Sequence, residues 1–296
     1  MEIELIGVPF DGYGRPGNQA LAADALRRAG LATAFPGSRV RDTLLDLPAP
    51  DPGRGAATGL LNEAALVAMT DAVDGAVAAA LGAGRFPLVH GGDCSTLLGS
   101  IGGRRDVGLV VVDGHEDTMP LDVSEDGEAA NAELGLLLGL TGRLLTGPLR
   151  RRTGVLARSA LAVLGPRDRE WRARFDVGAL RDAGVWVRDL AEVAAGPAAA
   201  GRAAAVHVAA GERPWWLHVD LDVLDPAAFP AQGLPGVPDD PGGLTWPQLD
   251  DLVLGALAVP RCVGLSVAIY DPEQDPGGAG AREVVGFLGR AVAAVR

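Results

Sequence analysis

The amino-acid sequence predicts an α/β fold, a three-layer α/β/α sandwich with a mainly parallel sheet of about eight strands. Short apolar runs rich in β-branched residues alternate along the chain with longer stretches rich in Ala, Leu and Arg. These runs are nearly continuous in apolar residues, as expected of strands that are covered on both faces. The connections between them are short or helical, which favours parallel strands between two helical layers.

The alternation places the strands and helices in chain order. Strands are predicted near residues 3–8, 39–46, 86–90, 107–113, 160–164, 185–188, 215–222 and 262–269. Helices are predicted near residues 17–29, 61–83, 94–102, 129–141, 167–175, 191–209, 245–257 and 280–295. Gly196 and Pro197 predict an interruption within 191–209, because proline does not continue the interior of a helix.

One domain over residues 1–296 is predicted, because no linker divides the chain. The segments 47–59, 225–243 and 271–280 are rich in Pro, Gly and Asp and are predicted to be loops. Hydrophobic residues make up 48% of the sequence, which is enough for a sizeable core and argues against general disorder.

Composition restricts the partners and the compartment. The formal net charge is −12 and all 26 basic residues are Arg, a balance that argues against binding to nucleic acid or an anionic membrane. The opening MEIELIGVPF lacks the features of a signal peptide, and no run of about 18 apolar residues predicts a membrane span. Cys94 and Cys262 do not form a disulfide framework. We expect a cytoplasmic protein with reduced thiols and a small-molecule substrate.

Three of the predicted strands end in polar motifs. These motifs are GGDCS at 91–95, DGHED at 113–117 and DLDVLDP at 220–226. Ligands of parallel sheets bind beyond the carboxyl ends of the strands. Each motif alone is commonly a turn or capping device, whereas three such strand ends together favour a binding site.

Two of these strand ends carry acids and imidazoles at alternate positions, and alternate residues of an extended segment share a face. The first set is Asp113, His115 and Asp117, and the second is His218, Asp220 and Asp222. Carboxylates this close repel one another unless cations neutralise them. Two divalent metal ions are therefore predicted, with Mn²⁺ among those suited to oxygen-rich sites containing imidazole.

The same motifs resemble those of a known family. GGDCS, DGHED and HVDLDVLDP are similar to GGDHS, DAHxD and SxDxDxxDP, the metal motifs of the ureohydrolase superfamily of arginase, agmatinase and formiminoglutamase. The opening IGVPFDGYGRPGNQALAADALRRAGL also resembles that family's first strand, glycine turn and helix. The resemblance covers most of the chain and implies the three-layer fold, a homo-oligomer and a binuclear metal site.

The resemblance also implies the ligands. Asp113 and Asp220 match the carboxylates that bridge the two metals. His115 and Asp222 match ligands of one metal, and Asp117 matches a ligand of the other.

Cys94 stands where the family has its remaining histidine ligand. A thiolate can hold a metal, and it shifts preference toward Zn²⁺, Fe²⁺ or Co²⁺ relative to Mn²⁺. The alternative is that Cys94 is a small buried thiol and one metal is weakly bound or absent.

Two further imidazoles, His90 and His218, are expected near the site. Each has three interpretations. It is a strand-end histidine satisfied by its neighbours, a direct metal ligand, or, between these, a group that donates a hydrogen bond to a carboxylate ligand.

The reaction implied by the resemblance is hydrolysis of a C–N bond other than a peptide bond. Two metals about 3.5–4 Å apart can bind one water and lower its pKa toward neutrality, and the hydroxide attacks a planar carbon. Asp117 is expected to take part in catalysis as well as metal binding. Glu133 lies in GEAANAELGLLLG, where the family commonly has a proton-shuttling histidine, and is the candidate acid or base. The alternative is an ordinary glutamate on a helix surface.

The substrate site departs from the family at Ile269, which stands where a glutamate binds the substrate guanidinium. Asn131 and Glu273 are the other residues expected to contact substrate. These features predict a guanidino, amidino or formimino compound other than free arginine. The alternative function is a non-catalytic homologue that binds metal as a scaffold or regulator.

Overall fold

The protein folds around one sheet of eight parallel strands in the order β2-β1-β3-β8-β7-β4-β5-β6. The structure, a computed structural model, describes residues 1–121, 127–143, 145–233 and 242–295. The strands are β1 Glu2–Gly7, β2 Arg39–Leu44, β3 Phe86–His90, β4 Gly108–Val112, β5 Leu161–Leu164, β6 Trp186–Arg188, β7 Trp215–Asp220 and β8 Cys262–Ala268. All the predicted strands are present, and the α/β fold class is confirmed.

Ten α-helices occur in the described part of the chain. They are α1 Ala22–Arg28, α2 Glu63–Gly82, α3 Leu97–Ser100, α4 Glu133–Leu138, α5 Gly147–Arg151, α6 Arg169–Arg174, α7 Leu190–Ala194, α8 Pro197–Val208, α9 Trp246–Leu257 and α10 Ala279–Ala294. Helix α5 was not predicted. Three predicted helices begin late because their first residues form 3₁₀ turns instead, at Asn18–Leu21, Cys94–Thr96 and Ala129–Asn131.

The break predicted at Gly196 and Pro197 is confirmed. Helix α7 starts with a capping box, in which the Asp189 side chain accepts a hydrogen bond from the Glu192 N–H and the Glu192 side chain accepts one from the Asp189 N–H. Pro197 then starts α8, where its missing N–H costs nothing because the first turn leaves that donor unpaired anyway. Of the predicted loop 225–243, residues 234–241 lie outside the described residues.

Helices cover both faces of the sheet. On one face α1, α8, α9 and α10 pack on alternate strand residues such as Val112, Leu217 and Val219. On the other face α2, α3, α4 and α5 pack on the intervening residues, such as Val111 and Trp216. We call the second face the α2 face. This two-sided burial explains why the strands are continuous in apolar residues.

Helix α2 is long and apolar enough to cross a membrane on composition alone. Its buried side chains, including Leu66 and Met69, pack into the α2-face core. Its acids Asp71 and Asp74 form ion pairs with Arg152, which follows α5. These contacts are those of a core helix in a layered fold.

The strand order brings the polar motifs together. Strands β3, β8, β7 and β4 are consecutive at the centre of the sheet, so their carboxyl ends form one edge. Val112 pairs with Val219, which places Asp113 beside Asp220 at that edge, and Asp220 pairs with Ala268 of β8. The central edge therefore collects groups from segments that lie far apart in the sequence.

The turn after β3 depends on Gly91. Its φ is +86°, and an added Cβ would lie 2.9 Å from the Ala23 nitrogen and 3.0 Å from the Val8 oxygen. Glycine is required both for the backbone conformation and for the close approach of α1 and the loop after β1.

We expect Gly91→Ala to destabilise the fold by about 1–3 kcal/mol, since a strained φ and a backbone clash coincide. Gly37→Ala is the matched control, because Gly37 also has a positive φ (+77°) but has open space around its Cβ position. Chemical denaturation of both variants measures the difference. Equal losses of unfolding free energy in the two variants would show that the close approach at Gly91 does not add to the cost of the substitution.

Candidate functional site

The candidate site lies at the carboxyl ends of β4 and β7, on the α2 face. Val112 and Val219 point to the opposite face, so the alternation directs Asp113, His218 and Asp220 to the α2 face. All three side chains are buried. A buried strand end with two acids and an imidazole is costly unless these groups find partners.

One group of potential ligands consists of Asp113, His115 and Asp222, whose nearest donor atoms lie within 4.8 Å of one another. His115 Nδ1 is 2.9 Å from Asp222 Oδ2 and 3.8 Å from Asp113 Oδ1. The backbone fixes both carboxyls, because Asp113 Oδ1 accepts from the His115 N–H at 2.7 Å and Asp222 Oδ1 accepts from the Gly114 N–H at 3.0 Å. A Cβ on Gly114 would meet Asp222 Oδ1 at 2.9 Å, so this approach needs glycine.

A second group consists of Cys94, Asp113 and His218, again within 4.8 Å of one another. Cys94 Sγ is 2.6 Å from Asp220 Oδ2 and 3.2 Å from His218 Nε2. Asp220 is tied to the first group, since its Oδ1 accepts from the Asp222 N–H at 2.7 Å. Asp113 belongs to both groups, which therefore adjoin.

The loop after β3 presents Cys94 to this second group. Gly91 and Gly92 both have positive φ and reverse the chain at the strand end. Asp93 then caps the following turn, with its Oδ1 accepting from the Ser95 N–H at 2.9 Å. Cys94 is the first residue of that turn and is buried.

Burial and mutual repulsion raise the pKa values of the acids. Burial, with the charge of Asp222, raises the pKa of Asp113 to about 8. Burial raises the pKa of Asp117, Asp220 and Glu133 well above the usual range, and the neighbouring carboxylates add to the effect. Burial, with Asp220 nearby, also raises the pKa of the Cys94 thiol.

The pair of His115 and Asp222 behaves in the opposite way. Burial opposes charge on both, but their mutual attraction outweighs it. The pKa of His115 rises to about 9, and the pKa of Asp222 falls below its usual value. Arg167 adds to the effect on Asp222, and it also donates a hydrogen bond to the Asp222 carbonyl at 2.8 Å.

The donor set fits divalent metal ions. Asp113 Oδ2 and both carboxyl oxygens of Glu133 are buried without a hydrogen-bond partner among the described residues. A buried carboxylate without a partner is unfavourable, and a divalent cation supplies the missing neutralisation. Carboxylate, imidazole and thiol groups are ligands of Mn²⁺, Zn²⁺, Fe²⁺ and Co²⁺.

Glu133 and Asp117 lie together beside these groups. Glu133 is the first residue of α4 and is fully buried, so the alternative of a helix-surface glutamate is wrong. Asp117, at φ +41°, accepts a hydrogen bond through its carbonyl from the Gly135 N–H. This bond ties the loop after β4 to α4.

The three predicted substrate residues have different surroundings. Ile269 packs with Cys94 and Ala130 in a small apolar cluster, at φ +62°. Asn131 is half-buried, and its carbonyl accepts from the Met119 N–H of the loop after β4. Glu273 is exposed and accepts a hydrogen bond from the backbone N–H of residue 18 at 2.7 Å, and this contact braces the loop after β1.

His90 does not reach the candidate site. Its strand neighbour Val89 packs on the α2 face, so the alternation turns His90 to the opposite face. There the charges that act on it are Arg27 and Asp24 of α1, and its ring nitrogens have no hydrogen-bond partner among the described residues. His90 therefore lacks the contact with a candidate ligand that a supporting role requires, whereas His218 contacts Cys94 directly.

The sequence reasoning missed the groups that hold the loop after β4. Glu116 is buried, and its carboxyl accepts from Arg172 at 3.1 Å and from the Leu180 N–H at 2.6 Å. Asp168 accepts from the Glu116 N–H at 3.1 Å and from Arg172. The signal was available in GPRDRE, a charged segment that follows the predicted strand β5.

The comparisons with known proteins agree with this architecture. The model of the arginase family matches residues 1–293. An arginase of Eremothecium gossypii is 30% identical over 216 residues, which are 69% of this chain and 51% of that protein. The chain spans about half the length of the curated relatives it matches.

Solved structures of the same fold cover nearly the whole chain. An arginase from Bacillus caldovelox superposes with a TM-score of 0.84 at 23% identity, over 98% of this chain and 97% of that one. The formimidoylglutamase of Bacillus subtilis superposes with a TM-score of 0.74 at 19% identity, over 99% of this chain and 86% of that one.

Asp113→Ala is expected to abolish binding of both metal ions, because Asp113 belongs to both ligand groups. Asp106→Ala is the control, since Asp106 is exposed just before β4, at the other end of that strand. Metal content per chain after dialysis against Mn²⁺ or Zn²⁺ is the measurement. Full content in Asp113→Ala would contradict a shared ligand.

The stability of the metal-free protein is expected to fall as the pH rises from about 6.5 to about 8. Asp113 has its pKa raised from 3.8 to about 8, so the folded state keeps a proton that the unfolded state has lost, and this advantage disappears as pH rises. His115, raised from 6.5 to about 9, acts with the same sign. Below pH 6.5 the buried His90 and His218, lowered to about 3, act in the opposite direction.

Denaturation of chelator-treated protein at several pH values between 6.5 and 8 measures this slope, expected at about 1 kcal/mol per pH unit or more. Asp113→Asn should flatten it, and saturating divalent metal should reverse or remove it. A slope that is unchanged in Asp113→Asn would assign it to other groups.

Proposed function

The chain belongs to the arginase family, and from this premise we propose that it is a metal-dependent hydrolase of a non-peptide C–N bond in a guanidino, amidino or formimino compound. The observation that carries the proposal is the pair of adjoining ligand groups that share Asp113 at the central edge of the sheet. Acids this deeply buried have no structural use that a neutral side chain would not serve at lower cost, so their retention favours a metal-dependent role.

The proposed metal ligands are those expected from the sequence. They are Cys94, Asp113, His115, Asp117, Asp220 and Asp222. Divalent ions bound there would supply Lewis acidity and activate a water as the nucleophile. Mn²⁺ is the first candidate, with Zn²⁺, Fe²⁺ or Co²⁺ as alternatives because of the thiol. A homo-oligomer and a cytoplasmic location remain predictions from the sequence.

Glu133 is proposed to handle the proton that the leaving amine needs. Burial, with the charge of Asp113, raises the pKa of the Glu133 carboxyl well above its usual range, which favours its protonated form. A protonated acid beside the ligand groups can donate to a departing nitrogen and then recover a proton from the attacking water. Asp117, which lies next to Glu133, is proposed to position the Glu133 carboxyl for that proton transfer.

The aliphatic side chain of Ile269 favours a substrate whose reacting group is less basic than a guanidinium. Its side chain is aliphatic and packs against Cys94 and Ala130, so this part of the site offers no carboxylate to a guanidinium. Loss of a charge-assisted hydrogen bond costs about 1.5–3 kcal/mol. A neutral or weakly basic amidine, formimine or substituted guanidine has less charge to compensate and loses less.

We expect free arginine and agmatine to be poor substrates compared with N-hydroxyarginine or a formimino amino acid. Values of kcat/KM at matched metal loading make the comparison. Turnover of arginine or agmatine above about 10⁴ M⁻¹s⁻¹, the lower end for good enzymes, would contradict this interpretation of Ile269. No turnover of any of the four compounds with both metals bound would instead identify a non-catalytic metal-binding scaffold.

Ile269→Glu is expected to raise kcat/KM for arginine by about tenfold to a hundredfold, the equivalent of the restored charge-assisted contact. Ile269→Leu is the control, because it removes the β-branch at the positive φ without adding charge. Ile269→Glu should not raise kcat/KM for the formimino substrate. Equal gains with Leu and Glu would attribute the effect to relief of backbone strain.

A further inference from the structure

The imidazole of His218 lies inside the candidate site rather than behind it. Its Nε2 is 3.2 Å from Cys94 Sγ, and the nearest donor atoms of His218, Cys94 and Asp113 lie within 4.8 Å of one another. All three residues are at most 1% exposed. A sulfur, a nitrogen and a carboxylate oxygen therefore converge on one small buried volume.

The second ring nitrogen of His218 is held by a dedicated partner. Nδ1 is 2.7 Å from Ser266 Oγ on the neighbouring strand β8. Trp216 Nε1, which can only donate, gives its hydrogen bond to the same Ser266 oxygen at 2.9 Å. That oxygen has a second lone pair, which can accept the Nδ1–H of His218. The lone pair of Nε2 is then directed toward Cys94.

This arrangement has the form of a metal-binding histidine. Such histidines donate the ring N–H that does not face the metal to an acceptor, which fixes the tautomer and the ring orientation. Ser266 and Trp216 supply that outer support from β8 and β7, both rigid central strands.

We propose that His218 is a metal ligand, and that Cys94, His218 and the carboxylates Asp113 and Asp220 form a half-site selective for Zn²⁺. The proposal rests on the proposed function only in placing a metal at this edge. Sulfur, nitrogen and oxygen donors in fourfold coordination are characteristic of Zn²⁺. The adjoining group of Asp113, His115 and Asp222 lacks sulfur, and its oxygen-rich donors suit Mn²⁺. The two halves thus differ in the metal that they prefer.

The direct test loads wild-type protein with one equivalent of Zn²⁺ and records the X-ray absorption spectrum at the zinc edge. We expect one sulfur at about 2.3 Å and one imidazole nitrogen at about 2.0–2.1 Å from the zinc, with oxygen in the remaining positions. Sulfur without imidazole would overturn the assignment of His218. Imidazole without sulfur would overturn the selectivity, because it would place the ion with His115.

Substitution separates a ligand from a supporting residue. His218→Gln is expected to weaken Zn²⁺ binding, measured by chelator competition, by more than about 100-fold, beyond the 10–100-fold loss typical of outer groups. Ser266→Ala should fall within that outer range. His207→Gln, the same change at a partly exposed histidine on α8, should have no effect. Circular dichroism confirms folding, and the wild-type spectrum decides the question if His218→Gln does not fold.

The same variants distinguish this proposal from the proposed function, because none of these readouts uses turnover. Unchanged Zn²⁺ affinity in His218→Gln would overturn the ligand role and leave the hydrolase proposal intact. Co²⁺ provides the complementary spectrum, since a thiolate ligand gives a charge-transfer band. We expect His218→Gln to alter the accompanying ligand-field bands while keeping the charge-transfer band, and unaltered bands would count against the ligand role.

Discussion

The structure depends on the repulsion between carboxyl groups that are buried together at the ends of β4 and β7. Asp113 and Asp220 lie side by side because Val112 pairs with Val219, and the register allows neither to turn away. Burial and neighbouring charge raise the pKa of both. Such a cluster persists only if the surrounding fold is stable enough to impose it and if protons or a bound cation neutralise it.

Residues around the site hold its loops and side chains in position. Glu116, Arg172 and Asp168 form a buried network that anchors the loop after β4. Ser266 orients His218 from the neighbouring strand. Ile269, a β-branched residue at φ +62°, is a local strain of the kind that collects at functional sites. Each of these contacts restricts where a ligand or substrate group can sit.

The chemistry of the site is divided between its two halves. The half with His115 and Asp222 is an ion pair partly open to solvent, with about a third of the His115 side chain exposed. The half with Cys94 and His218 is buried and lies against the apolar contact of Ile269. A polar, partly open half next to a buried, sulfur-containing half is the basis of the proposed difference in metal preference and of the proposed substrate with little charge at its reacting group.

The sequence by itself determined the fold class and the eight strands, because apolar continuity and the alternation of strands and helices are local properties. The alternate spacing also pointed to acids and imidazoles at two strand ends, whereas Cys94 was a candidate only through the family resemblance. Only the tertiary structure decided which groups meet. Strands β3 and β4 follow one another in the chain, yet β8 and β7 lie between them in the sheet, which is how His218 reaches Cys94. The sequence treated His90 and His218 alike. The pleat of the strands directs His90 to the face opposite the site and His218 to the α2 face. A shift of one residue along a strand reverses the face of any side chain.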